Sequence, residues 1–173
     1  MLHDSPSRYG IVTRFFHWLV AILIIQQFFK FADRINEGEH WLGDTFGPYH
    51  VSIGAVLFIL MIARLIWSAM QKQRPAPNGQ LGKLAKGGHH LMYFLVITMP
   101  PLGALYIHGK GYPIKVFGYE LIAKPDGKPE WAHMIGELHS IFAWVLVLLV
   151  IAHIGAAIYH HAVRKDDTLK RII

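Results

Sequence analysis

Four histidines are spaced as a metal-centred chemistry would require. His139 and His153 lie fourteen residues apart in the apolar run ELHSIFAWVLVLLVIAHIGAAIYHH of residues 137–161. On a helix with the roughly 3.5-residue period of a bundle, that separation is four turns and about 21 Å of rise. Both rings then point the same way at different depths. The residues between them are apolar or small, so in a helix that spans a bilayer each imidazole needs a partner, and a metal ion on each ring would supply it. His17 and His50 stand near the starts of two other apolar runs.

The elements that position these rings are membrane spans. The chain has 173 residues, 53% of them hydrophobic, and a mean hydropathy of +0.33. That is too apolar for an ordinary soluble domain and indicates an integral membrane protein. The basic residues behind the net charge of +6 flank apolar runs, a pattern of membrane topology and not of nucleic-acid binding. With no cysteine, disulfides, iron–sulfur clusters and thiolate zinc sites are excluded, and twelve histidines turn any metal chemistry towards imidazole. No cleavable signal peptide is expected, because the first apolar run follows a polar leader and has no small-residue cleavage site.

Four spans are expected, at about 14–31, 49–70, 88–106 and 137–160. Each approaches the roughly 20 residues that cross the hydrocarbon. The 32–48 connection is polar, with Asp33, Glu37, Glu39 and Asp44 against Arg34, and 71–87 reads as a basic loop rich in Gly and Pro. Pro100-Pro101 should kink the third span. The 107–136 excursion should include a short surface helix, and a stretch of that length is more often functional than idle. No internal repeat is present, so the expected fold class is all-α, an integral membrane four-helix up-down-up-down bundle. Arg8, Arg14, Lys72, Arg74, Lys83, Lys86, Arg164, Lys165, Lys170 and Arg171 fall on one side; Arg34, Lys110, Lys115, Lys124 and Lys128 fall on the other. The more basic side, which holds both termini, is expected to be cytoplasmic.

That topology pairs His50 with His139 at the outer end and His17 with His153 at the inner end. A haem iron takes axial ligands on opposite faces of a flat macrocycle, so two histidines from different helices with a slot between them suit bis-histidine ligation. Gly54, Ala55, Gly155, Ala156 and Ala157 would make room for a porphyrin. On the residues alone, two metal or haem sites compete evenly with a haem-free proton or metal transporter, because polar groups inside a membrane also relay protons. A lone membrane histidine is more often a packing residue.

SRYGIVTRFFHW, PYHVSIG, MIARLIW, GGHHLMYFLVITMPPLG, the His139 to His153 spacing and HHAVRKDDTLKRI together resemble the bacterial cytochrome b561 family over nearly the whole chain. The resemblance implies a single transmembrane cytochrome b domain over 1–173 in the bacterial inner membrane, with two b-type haems and axial ligands at His17, His50, His139 and His153. It implies electron transfer between quinones and other donors. One activity in the family is oxidation of superoxide at the periplasmic haem with ubiquinone as acceptor; another is exchange of electrons between quinol and a partner oxidoreductase.

Arg64, Lys86, His89 and His161, with Lys83, His90, His160 and Arg164 nearby, are candidates for haem propionates or a quinone carbonyl, and interfacial anchoring is the competing role. Lys110, Lys115, Lys124 and Lys128 would steer a small anion such as superoxide if Glu120, Asp126 and Glu130 did not cancel their charge. His108 and His133 read as surface residues.

Overall fold

A computed structural model describes residues 1–31, 40–76 and 82–173. Asp33, Arg34, Glu37 and Glu39, and residues 77–81 of the basic loop, lie outside the described residues. The helices are α1 (Ile11–Phe28), α2 (Trp41–Phe46), α3 (His50–Met70), α4 (Gly82–Gly109), α5 (Glu130–Gly136) and α6 (Leu138–Tyr159); a two-stranded hairpin, β1 (Ile114–Val116) and β2 (Tyr119–Ile122), stands between α4 and α5. Helices α1, α3, α4 and α6 supply four stretches long and apolar enough to cross a membrane. In hydrocarbon the backbone must satisfy itself, and a helix does so within one segment. The fold is therefore the helical membrane bundle expected from the hydropathy pattern.

Close packing runs from α1 to α3, α3 to α4, and α4 to α6. The buried core is a thin mid-depth layer of Val20, Leu57, Met61, Leu95, Val96 and Leu146. Leu146 lies seven residues from both His139 and His153, so this layer separates the two histidine depths. The outward surface carries Phe15, Ile22, Ile59, Phe94, Ile141 and Leu148, which suits contact with lipid tails.

One end of the bundle holds both chain ends. Tyr9 N–H donates to the Arg171 carbonyl at 3.1 Å, Trp18 Nε1–H to the Ile172 carbonyl at 3.1 Å, and Arg171 Nη1 to the Ala76 carbonyl at 2.8 Å. Asp4 accepts from Gly10 N–H at 2.9 Å and the Thr13 hydroxyl at 2.6 Å, which sets a carboxylate at the positive end of α1. This end is the terminal face, and the opposite end, with the hairpin and α5, is the hairpin face.

Two local expectations are corrected. Residues 82–87, read as loop, form the first turns of α4. Gly82 and Gly87 suggested a loop, but Lys83, Leu84, Ala85 and Lys86 between them are strong helix formers. The 107–136 excursion contains the expected short helix, α5, but also an antiparallel hairpin with Val116 opposite Tyr119. Its turn uses Phe117 (φ 49°) and Gly118 (φ 87°), the paired positive φ of a type I′ turn without the usual Asn-Gly signature. Phe117 N–H donates to the buried Ser52 hydroxyl at 2.8 Å, which ties the hairpin tip to α3 just past His50.

Candidate functional site

The bundle brings four of the sequence-selected histidines together in two pairs. At the terminal face, His17 on α1 meets His153 on α6 with ring centroids 6.2 Å apart; at the hairpin face, His50 on α3 meets His139 on α6 at 6.0 Å. All four rings are half-buried. Two imidazoles that bind one iron from opposite sides, each at a metal–nitrogen distance of about 2.0 Å, hold their ring centres roughly 6 Å apart. Both pairs have that separation. Half-buried Gly54, one turn past His50, would meet no atom within 4 Å if it carried a β-carbon, so there is space beside the hairpin-face pair. Gly155 is also open but is exposed on the bundle surface.

The hairpin-face pair is held by backbone. His139 Nδ1 lies 2.8 Å from the Met99 carbonyl. A carbonyl only accepts, so Nδ1 carries the proton and Nε2 presents its lone pair, the tautomer that a metal-binding imidazole needs. Gly103 allows this approach: a β-carbon there would stand 3.1 Å from the His139 ring. The sequence reading placed His139 correctly but missed Met99 and Gly103, because a contact between α4 and α6 leaves no trace in the periodicity of either helix. The Gly of PPLG was the only available signal.

The terminal-face pair has a cation beside it. Arg64 Nη2 lies 3.4 Å from His17 Nδ1, and the guanidinium also sits over the Tyr93 ring at 5.1 Å. Guanidinium only donates, so in this arrangement His17 Nδ1 accepts; binding a metal through Nε2 requires Arg64 to release Nδ1. His89 meets the His153 ring at a centroid distance of 5.4 Å. Arg64 and His89 thus join the pair, while Lys86 and His161 are exposed. His160 was singled out less strongly than His161, yet it is the tied one: its Nδ1 is 2.7 Å from Asp166 Oδ2.

On the hairpin face, Lys110, Tyr112, Lys128, Glu130 and His133 line a concavity of about 420 Å³ with Gly109. Gly109 lies six residues beyond Gly103, about 9 Å further along α4, so the concavity opens outward of His139. Helix α5 closes against α4 where glycines replace side chains: any β-carbon on Gly136 would overlap the Tyr106 backbone, and any on Gly109 the His133 backbone. Lys110 Nζ sits 4.3 Å from the Tyr106 ring centre, and the His133 ring packs tilted against the same tyrosine at 5.2 Å. His133 is therefore part of a packed corner, more than the surface residue expected. Among the described residues no three His, Asp or Glu side chains converge as a metal cluster; the paired rings suit a cofactor that brings its other ligands with it.

Residues 8–173 match the family model of prokaryotic cytochrome b561. The chain is 30% identical over 177 residues to "Cytochrome b561 homolog 2" of Escherichia coli (strain K12), covering 98% of this chain and 93% of the relative. To "Cytochrome b561 homolog 1" of the same organism it is 24% identical over 177 residues, covering 96% and 97%. To "Probable superoxide oxidase CybB" of Yersinia pestis it is 25% identical over 174 residues, covering 96% of each. Four apolar helices and a match over most of the length place the chain in the prokaryotic cytochrome b561 family of membrane electron-transfer proteins, which carry b-type haem.

Proposed function

We propose that the protein is a di-haem oxidoreductase of the bacterial inner membrane that oxidises superoxide at the hairpin face and reduces ubiquinone at the terminal face, with its N- and C-termini cytoplasmic. The observation that carries this reading is the presence of two histidine pairs, at 6.2 and 6.0 Å, at opposite depths of one bundle. His50 with His139, and His17 with His153, are the proposed axial ligands. Haem iron bound by two imidazoles supplies one-electron chemistry without an open coordination position.

The chain's own residues do the rest. His139 donates from Nδ1 to the Met99 carbonyl and so has its lone pair on Nε2, and the apolar core layer around Leu146 lies between the two depths. Lys110 and Lys128 give the hairpin-face concavity a positive wall that would raise the arrival rate of a small anion, although Glu130 shares it. Arg64 is the proposed partner of a haem propionate at the terminal face, where an anion would draw it off His17 Nδ1. Lys86, His89 and His161 are further candidates for propionate or quinone contacts on that face. The Lys and Arg excess there supports a cytoplasmic orientation.

The test is anaerobic stopped-flow spectroscopy of the detergent-purified protein mixed with superoxide, with and without a ubiquinone analogue. Rapid appearance of a reduced b-type band, followed by quinone-dependent reoxidation, is expected; haems that ignore superoxide would overturn the superoxide reading.

One observation favours a second reading, a cytochrome b subunit that exchanges electrons between quinol and a partner oxidoreductase. Strand β2 exposes Tyr119 and Leu121, and Phe117 at the turn is exposed beside them. Co-purification of a redox partner, lost on Leu121→Lys, would support that reading over the first.

A further inference from the structure

The concavity outward of His139 is floored by backbone. Helix α4 ends at Gly109, and the carbonyls that it leaves open are taken at once: Lys110 N–H donates to the Tyr106 carbonyl at 3.2 Å, Gly111 N–H to that of His108 at 2.9 Å, and Tyr112 N–H to that of Ile107 at 3.2 Å. The negative pole of the helix is thereby covered. Gly111 is buried with a positive φ of 83°, and a β-carbon there would stand 3.1 Å from the Gly127 carbonyl oxygen and 3.2 Å from Lys128 Cγ. The Lys128 stem therefore lies across a glycine, while Lys110 Nζ rests over the Tyr106 ring at 4.3 Å. Both lysines are held in place before any ligand arrives, which lowers the ordering cost of binding. The space that they border is about 420 Å³. That lies within the roughly 300–1,000 Å³ of small-molecule sites and is far more than a diatomic anion fills. Among the described residues the lining side chains are Lys110, Tyr112, Lys128, Glu130 and His133. None is aliphatic, so an apolar ligand would gain little there. The charges of Lys110, Lys128 and Glu130 sum to one positive charge, and the Glu130 carboxylate is a hydrogen-bond acceptor.

We propose that this concavity binds a hydroxylated organic monocarboxylate of sugar-acid size, and that the bound anion slows the entry of superoxide. The carboxylate of the ligand meets the ammonium groups of Lys110 and Lys128 in charge-assisted hydrogen bonds. A ligand hydroxyl donates to the Glu130 carboxylate, and the Tyr112 hydroxyl is a second polar contact. One negative charge on the ligand brings the wall to neutrality, so the field that draws a small anion towards His139 is lost. The ligand also fills the approach. The effect on superoxide rests on the reading of the hairpin face as the site of superoxide oxidation; the binding itself does not. None of these side chains is a proposed haem ligand, so variants should keep their haem spectra.

The experiment is isothermal titration calorimetry of the detergent-purified haem protein at fixed low ionic strength with three probes of equal carbon number. Gluconate carries charge and hydroxyls, hexanoate charge alone, and sorbitol hydroxyls alone. Gluconate should bind saturably at one site per chain, about tenfold more tightly than hexanoate, and sorbitol should give no heat. Lys110→Gln and Lys128→Gln should each weaken gluconate about tenfold, and Glu130→Leu should erase its advantage over hexanoate, the usual scale for one hydrogen bond to a charged group. Equal affinity for gluconate and hexanoate, or gluconate binding that the lysine variants leave unchanged, overturns the proposed site. In a second arm, gluconate should lower the second-order rate with superoxide by up to about tenfold, with half of the effect at the calorimetric Kd. A rate that follows ionic strength alone, matched by sodium chloride, overturns the proposed control of entry. A protein whose haems ignore superoxide with no gluconate present overturns the reading of the hairpin face, while the calorimetry still decides the site.

Discussion

At the hairpin face, His139 is fixed by the Met99 carbonyl and given room by Gly103; at the terminal face, His17 shares its Nδ1 with Arg64, and His153 packs against His89. The ring separations of the two pairs are nearly the same, so the difference lies in what surrounds them. Backbone sets tautomer and position and does not respond to redox state. A guanidinium adds a positive charge that stabilises whichever state is more negative and so raises a neighbouring reduction potential. An electron that enters at the hairpin face would find a preformed site and then a more attractive one.

The largest expected effect comes from removing one ring of each pair in turn. His139→Ala should lose the hairpin-face haem and leave the other, so haem content per chain falls by about half by pyridine haemochrome assay; His153→Ala should do the converse. If both haems vanish together, the two sites are not independent.

Next in size is Gly103→Val. Its β-carbon would be 3.1 Å from the His139 ring, tighter than ordinary carbon contacts, so either the ring or α4 must move. Haem content at the hairpin face should drop, with the terminal-face spectrum unchanged. Gly54→Val tests the neighbouring gap in the same way, since its side chain would enter open space that the cofactor is proposed to fill.

Arg64→Gln should shift only the terminal-face potential, downwards by about 50–100 mV, the scale for one charge at partly screened, intermediate range. Optical redox titration resolves the two components. A shift in the hairpin-face component alone would contradict the assignment of Arg64.

The smallest effect concerns arrival at the hairpin face. Lys110→Glu with Lys128→Glu should lower the second-order rate with superoxide up to about tenfold and flatten its dependence on ionic strength. An unchanged salt dependence would show that Glu130 already cancels the positive wall.

The long apolar runs and the fourteen-residue histidine spacing were legible in the sequence because hydrocarbon allows few ways to satisfy a backbone and a bundle keeps one face in register. That is why the four spans, both histidine pairings and the short helix in the excursion could be read directly. What was not legible depends on contacts between distant segments. Phe117 takes a left-handed conformation where an Asn or Gly would have announced the turn, and its N–H is taken up by Ser52, 65 residues away. Arg64 reaches back to His17 across 47 residues. The start of α4 was hidden by glycines whose cost is offset by their helix-forming neighbours.

The most direct test of the central claim is electron paramagnetic resonance of the oxidised, purified protein together with its haem-to-protein ratio. Two b-type haems per chain, both low-spin with the signals of bis-imidazole ligation, are expected, with one signal removed by His139→Ala and the other by His153→Ala. A single haem per chain, or a high-spin signal from a five-coordinate iron in the intact protein, would contradict it.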